Sequence, residues 1–288
     1  MVVIGASIQS ILADEFARQP TDPRQRVLET VEELAMDFGL DAVELYLDGL
    51  FLFPDVVDEG LLADIGRLQQ RLGLTLTAHL PYVWVDISAG NELTRRASVE
   101  AIVRAIQACA PLDITSFVLH ATGPFGNEFS PGVSDPEQSL FLRLTLAAID
   151  RSFADLTHAV PDAPLAVETM DGFPFAWQTP LVERYDLGIC CDVSHLLVRG
   201  EDPIAFLDAW LPRIRQLHLH GVREQVLGVN LRRRIDHRAL GGPGELVDVP
   251  RLLNHLTTRG FTGPVILENL SRADLVQSVA TIKEALGQ

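Results

Sequence analysis

Lysine is nearly absent from this sequence: Lys283 is the only one, and every other cationic side chain apart from histidine is an arginine. With 39 acidic against 23 basic residues, the chain carries a net charge of −16. Binding along a nucleic-acid backbone depends on clustered cations that release counterions, so this balance makes nucleic acid an unexpected partner. Bound metal ions would soften that argument, because they can be the largest charges in a site. Cysteine is scarce too. Cys109, Cys190 and Cys191 are odd in number and sit in apolar stretches, which is unlike a disulfide framework and fits small buried residues in a reducing compartment. No apolar run reaches the ~18 residues of a spanning helix, and the start, MVVIGASIQS, lacks the basic and long apolar regions of a signal peptide. These absences lead to the expectation of a soluble, cytoplasmic protein with no membrane partner, and no charged or amphipathic tail implies a protein partner.

What is present is a repeated alternation. Hydrophobic residues make up 47% of the 288, ample for a large core. β-rich runs occur at Val2 to Ser7, Ala42 to Leu47, Leu74 to Leu80, Ser116 to Ala121, Pro164 to Met170, Leu187 to Asp192, Gln216 to Gly221 and Pro264 to Asn269. Between them, apolar residues spaced by three and four predict helices over Arg24 to Phe38, Glu59 to Leu72, Glu92 to Ala110, Pro136 to Ala159, Pro203 to Leu211, Val249 to Arg259 and Ala273 to Leu286. Gly39, Gly73 and Gly260 follow three of these, as glycines closing helices do. The alternation, with no linker or low-complexity tract, predicts an α/β fold: one (β/α)8 TIM barrel spanning residues 1–288 as a single domain. An open doubly wound sheet is the alternative, but no GxGxxG follows the first strand. Long loops follow strand four (123–135) and strand seven (222–248), and loops of that length in a compact domain usually carry function.

In such a barrel the carboxyl ends of the strands converge on one site. After the first strand, every run finishes in a carboxylate or an imidazole: Glu44, His79, His120, Glu168, Asp192 with His195, His218 with His220, and Glu268. Asp192 would also serve to cap the helix that follows it. A single buried histidine is usually a satisfied core residue. A convergent ring of this size would be repulsive or badly desolvated unless cations or dense hydrogen bonds neutralised it. The mixed His/Asp/Glu set, without a convergent thiolate, suits zinc, manganese, cobalt or iron better than calcium, and it exceeds what one ion needs. Two or three divalent ions are therefore expected, with zinc or manganese foremost, and such ions can jointly activate water and stabilise the leaving oxygen of a phosphoester.

The late loop adds Arg232, Arg233, Arg234 and Arg238 around Asp236 and His237, ahead of the glycine turn Gly241 to Gly244. Guanidinium groups there are candidates to hold a phosphate, and a solvated loop accounts for each of them equally well. Aromatic residues past strands two to five, Phe51, Phe53, Tyr82, Trp84, Phe125, Phe129, Phe173, Phe175 and Trp177, could form a wide apolar mouth or simply pack the loops together.

The motifs CCDVSH, VETM, LHLHG, DHRALGGPGE and VILEN, with LTAHLP and VLHAT, resemble the xylose isomerase-like TIM barrels, and within them the endonuclease IV-like branch, over nearly the whole chain. The resemblance implies metal ligation by His79, His120, Glu168, Asp192, His195, His218, His237 and Glu268, with Glu168 bridging two ions. Sugar isomerases of the fold manage with one metal held by Glu168, Asp192, His218 and Glu268 equivalents; the two early histidines are what trinuclear phosphodiesterases add. Ile235 stands where the DNA-repair enzymes have aspartate, Asp236 directly precedes His237, and His120 is followed by Ala-Thr instead of Pro-Gly. With the acidic charge, these departures turn the expectation from DNA to a small molecule. The leading candidate is the nucleotide-loop phosphodiester of a cobamide, which makes a corrinoid the candidate substrate. In that reading Glu168 and Glu268 are the catalytic carboxylates, and Glu44 and the arginines are substrate contacts. The runner-up is a single-metal sugar isomerase or epimerase with Glu168 and Glu268 as proton-transfer bases; abasic-site endonuclease activity ranks below both.

Overall fold

The computed structural model describes residues 2–16, 22–131, 133, 138–227 and 232–288, without the side chains of 13–16 and 232. Its strands are β1 (Val3–Ser7), β2 (Ala42–Tyr46), β3 (Thr75–His79), β4 (Ile114–Leu119), β5 (Leu165–Glu168), β6 (Gly188–Asp192), β7 (Ile214–Leu219), β8 (Gly221–Val226), β9 (Arg232–Arg238) and β10 (Pro264–Leu267). The helices are α1 (Gln9–Phe16), α2 (Pro23–Met36), α3 (Gly49–Leu52), α4 (Glu59–Leu72), α5 (Glu92–Ala108), α6 (Pro124–Phe129), α7 (Leu140–Ala159), α8 (Phe175–Arg184), α9 (Val193–Arg199), α10 (Pro203–Trp210), α11 (Val249–Thr258) and α12 (Arg272–Leu286). Among the described residues, no helix is long and apolar enough to cross a membrane.

Eight strands close into a parallel barrel in the order β1-β10-β7-β6-β5-β4-β3-β2, which is the predicted TIM barrel. Strands buried on both faces read as continuous apolar runs, and β5, β6 and β10 are buried along their whole length. The helices start and stop where side-chain chemistry directs. Asp58 caps α4 by accepting the Leu61 N–H at 2.7 Å, and Gly73 ends it at φ 67°, a conformation that glycine adopts without a Cβ clash.

The long loop after β7 holds the main difference from expectation. It folds back as an antiparallel hairpin, β8 with β9, outside the barrel. Its strands are rich in Arg and Glu and lack an apolar face, so period-two hydrophobicity could not announce them. In the loop after β4, α6 occupies residues 124–129, while 132, 134 and 135 lie outside the described residues, as does the expected helix start at Pro136. The expected apolar mouth is only partly there. Phe173 and Phe175 are buried, and Trp177 packs on Phe173 at 5.4 Å, because these rings seal α8 against the barrel. Phe51, Phe53, Trp84, Phe125 and Phe129 are exposed on the loops after β2, β3 and β4.

Candidate metal centre

Strand register sets the depth of each side chain in the barrel. Tyr46 pairs with His79 and Glu44 with Thr77, whereas Asp192 pairs with His218. Glu44 therefore sits one layer below the ring of strand ends. It is fully buried, accepting from Thr77 Oγ1 at 3.0 Å and Gln216 Nε2 at 2.6 Å, with His218 Nε2 at 3.2 Å. The expectation that Glu44 contacts substrate is corrected: its carboxylate lies behind His218 and holds that imidazole with Nδ1 toward the site.

Glu168, Asp192, His218 and Glu268 form a central group whose donor atoms lie within 4.8 Å of one another. His218 Nδ1 is 3.0 Å from Glu168 Oε1 and 3.2 Å from Glu268 Oε2. The other oxygen of Glu168 faces a second group, with Oε2 at 2.8 Å from His120 Nε2 and 3.4 Å from His79 Nε2. Glu168 thus divides its two oxygens between two groups, the arrangement of a bridging carboxylate. Tyr82 packs over both early histidines, at 4.8 Å from His79 and 4.5 Å from His120.

A third group gathers His195 from α9 with His220 and His237, and Asp236 Oδ2 is 3.9 Å from His195 Nε2. On a regular strand, neighbours such as Asp236 and His237 would point to opposite faces. Here β9 spends one residue more than β8 between the pairs Arg223 with Ile235 and Gly221 with Arg238, and His237 adopts φ 50°. This bulge with a left-handed histidine brings both side chains to the third group, which is how Asp236 comes to stand near His195. Asp192 caps α9, as the sequence suggested, its Oδ1 accepting the His195 N–H at 2.7 Å.

Hydrogen-bond direction tests whether these imidazoles suit a metal. His79 Nδ1 lies 2.9 Å from the Leu80 carbonyl, His195 Nδ1 3.0 Å from that of Thr169, and His237 Nδ1 3.1 Å from that of Glu268. A carbonyl can only accept, so each Nδ1 carries a proton and each Nε2 is the nitrogen left to face the site, with a lone pair for a metal once its own proton is released. The site cavity, about 270 Å³, is lined by His79, His120, Glu168, His195, His237 and Glu268 together with Ser7, Gln9, Tyr82, Met170, Asn269 and Leu270, and among the described residues no arginine or lysine borders it. Acid-rich donors, locked tautomers and no cationic side chain together fit divalent ions.

The arginines expected at substrate lie elsewhere. Arg233 and Arg238 are exposed, and Arg234 donates to the Leu197 carbonyl near the end of α9. The bulge in β9 gives the site-facing places to Asp236 and His237 and leaves Arg233 and Arg238 exposed. The side chain of Arg232 lies outside the described residues. His220 is the site residue the sequence left open. The His-x-His spacing of LHLHG was its signal, since residues two apart share a face of an extended strand.

Electrostatics of the metal-free chain follow from burial. Burial alone would lower His79, but Glu168, Glu268 and Glu44 outweigh it and push it up to about 9. His195 is likewise opposed by burial and raised by Asp192, Glu168, Asp171 and Asp236 to about 9. Burial would raise Glu168, yet His218 and His120 hold its carboxyl well below the usual range. Burial lowers His120 and His237. The raised pair stabilises the fold fully below ~6.5, the unfolded value, and that contribution is lost as pH rises through about 9. The lowered pair acts in the opposite sense, but only below ~6.5. Chelator-treated protein is therefore expected to lose on the order of 5 °C in Tm between pH 6.5 and 9.5. Thermal unfolding at the two pH values checks this, and an unchanged Tm would contradict it.

A family model described as the xylose isomerase-like TIM barrel matches residues 33–286. The chain belongs to this family. Similar solved structures include a D-tagatose 3-epimerase-like protein at 20% identity and TM-score 0.73, covering 99% of this chain and 97% of that one. A 3-keto-D-glucoside 4-epimerase from E. coli is 18% identical with TM-score 0.68, covering 100% and 98%. An L-ribulose 3-epimerase is 18% identical with TM-score 0.66, covering 100% and 87%. No match was found among the curated proteins. At these identities the likeness establishes the fold of this xylose isomerase-like barrel.

Proposed function

We propose that this chain is a divalent-metal-dependent hydrolase of a small-molecule phosphodiester. The observation that carries the reading is Glu168, whose oxygens divide between His218 on one side and His79 with His120 on the other. One ion would be held by His79, His120 and Glu168, a second by Glu168, Asp192, His218 and Glu268, and a third by His195, His237 and Asp236. Divalent ions there supply charge stabilisation for phosphoryl oxygens and acidify water.

The chain's own groups complete the site. Glu268 lines the cavity, and although burial would raise it, His218 keeps it ionised, so it acts as an anion that accepts hydrogen bonds and orients a bound group and not as a proton donor. The Tyr82 hydroxyl, pushed up to about 12 by burial, stays protonated and can donate a hydrogen bond to a phosphoryl oxygen. Phe51, Phe53, Trp84, Phe125 and Phe129 are exposed on segments that follow the carboxyl ends of β2, β3 and β4, the end of the barrel that carries the site, which suits a substrate with a large apolar body such as a corrinoid. The acidic chain and a cavity that no arginine or lysine lines among the described residues disfavour a nucleic-acid backbone.

A second reading rests on the structural neighbours, whose sugar epimerase activities favour it over phosphodiester hydrolysis. The central group alone could hold one ion, with Glu168 and Glu268 as the two proton-transfer bases for a keto-sugar. That reading leaves His79, His120 and the third group without a task. The two are separated by assaying manganese- or zinc-loaded protein on bis(p-nitrophenyl) phosphate and nucleotide-loop phosphodiesters in parallel with ketohexoses. Phosphodiester turnover without sugar epimerisation is the expected result, and epimerisation alone would replace the first reading with the second.

A further inference from the structure

Six of the chain's eight histidines meet at this site, and His220 is wired in the reverse sense to His79, His195 and His237. His220 is fully buried, with its ring stacked on His237 at 4.0 Å. Its Nδ1 receives the backbone N–H of His237 at 2.8 Å. A peptide N–H can only donate, so Nδ1 is the acceptor and the proton of the neutral ring is on Nε2. That Nε2 lies 3.1 Å from Asp192 Oδ2, a carboxylate oxygen able to accept it. His79, His195 and His237 are held the opposite way, with Nδ1 donating to a carbonyl.

We propose that His220 is a positioning residue that donates to Asp192 and not a third-group metal donor, although its ring nitrogens come within range of those of His195 and His237. Both nitrogens are committed, and in a buried ring no water replaces either partner. The backbone gives it no freedom to turn. The His220 N–H donates to Ser194 Oγ at 3.0 Å, and the Ser194 hydroxyl donates to the His220 carbonyl at 2.5 Å.

The wiring joins two groups that belong to different elements. Asp192 has Oδ1 fixed by the His195 N–H and Oδ2 by His220, so its orientation toward the central group depends on His220. His220 in turn depends on the peptide of His237, which reaches it only because β9 bulges at a left-handed residue. Seating of the hairpin thereby sets the geometry of the central carboxylate. The inference rests on the metal reading for the role of Asp192, but the tautomer itself does not.

Long-range proton–nitrogen NMR on histidine-labelled protein reads which ring nitrogen carries the proton, in the chelator-treated and the zinc-loaded states. His220 is expected to show Nε2–H in both, with Nδ1–H at His79, His195 and His237 in the zinc-loaded state. An Nδ1–H tautomer for His220 in either state, or a zinc-induced loss of its Nε2 proton, would overturn the proposal. His220→Gln keeps a donor near the Nε2 position and His220→Asn keeps only an acceptor near Nδ1. Both are expected to bind the native number of ions, with zinc affinity of the Asn variant lowered about 10–100-fold and that of the Gln variant nearer native. Loss of one ion in both variants would make His220 a ligand and sink the proposal. If the chain binds no zinc, the metal reading fails, while the spectra of the metal-free protein still decide the tautomer.

Discussion

Glu168→Gln is expected to lower phosphodiester turnover by at least about 10³-fold, corresponding to about 4 kcal/mol of transition-state stabilisation. The substitution keeps the size of the side chain and removes the charge that both groups share. Glu168 Oε1 then no longer faces His218 as an anion, nor Oε2 His120 and His79. Because the buried imidazoles lose their counter-charge, the metal-free variant is also expected to unfold more readily, by about 3–5 kcal/mol, the cost of breaking a buried ionic set from one side. Steady-state kinetics and denaturant unfolding measure the two effects. Turnover within tenfold of native would contradict the assignment of Glu168 as a shared carboxylate.

The second large effect concerns the early histidines. A His79→Ala, His120→Ala double variant is expected to lose phosphodiester turnover by about 10³-fold while the central group stays complete. His79 closes β3 and His120 follows β4 directly, and alanine keeps the backbone bond in which the His79 carbonyl accepts from the Leu47 N–H, so the barrel's ladder is left in place. An epimerase working from Glu168, Asp192, His218 and Glu268 would keep most of its activity in this variant. Parallel kinetics on a phosphodiester and a ketohexose separate the two outcomes.

The barrel was legible in the sequence because parallel strands buried on both faces cannot be written without apolar runs, and each run ends near a polar residue at the open end of the barrel. The gathering of His79, His120, Glu168, Asp192, His195, His218 and Glu268 was readable from those ends, whereas His237 came from the late loop and the metal roles, Glu168 as a shared carboxylate among them, only from the family resemblance. Depth within the barrel was not. Glu44 reads like the other strand ends, but β2 continues to Tyr46, and the pairing of Tyr46 with His79 places Glu44 a layer deeper, behind His218.

The hairpin hid the rest. Arg233, Arg234 and Arg238 share a cationic stretch with His237, and composition alone suggests that all could face a phosphate. The bulge at His237 decides otherwise, turning Asp236 and His237 inward and leaving Arg233 and Arg238 exposed. Backbone irregularity of this kind depends on where a strand is pinned by its partner, which period-two patterning does not encode.

Metal content per chain, measured by elemental analysis on protein purified without chelator or affinity metal, tests the central claim most directly. Two or three ions in the native chain, falling by about one in the His79→Ala, His120→Ala variant, is the result expected from a carboxylate shared between groups. A single ion per chain, unchanged in the variant, would contradict the multinuclear account and assign the central group to keto-sugar chemistry.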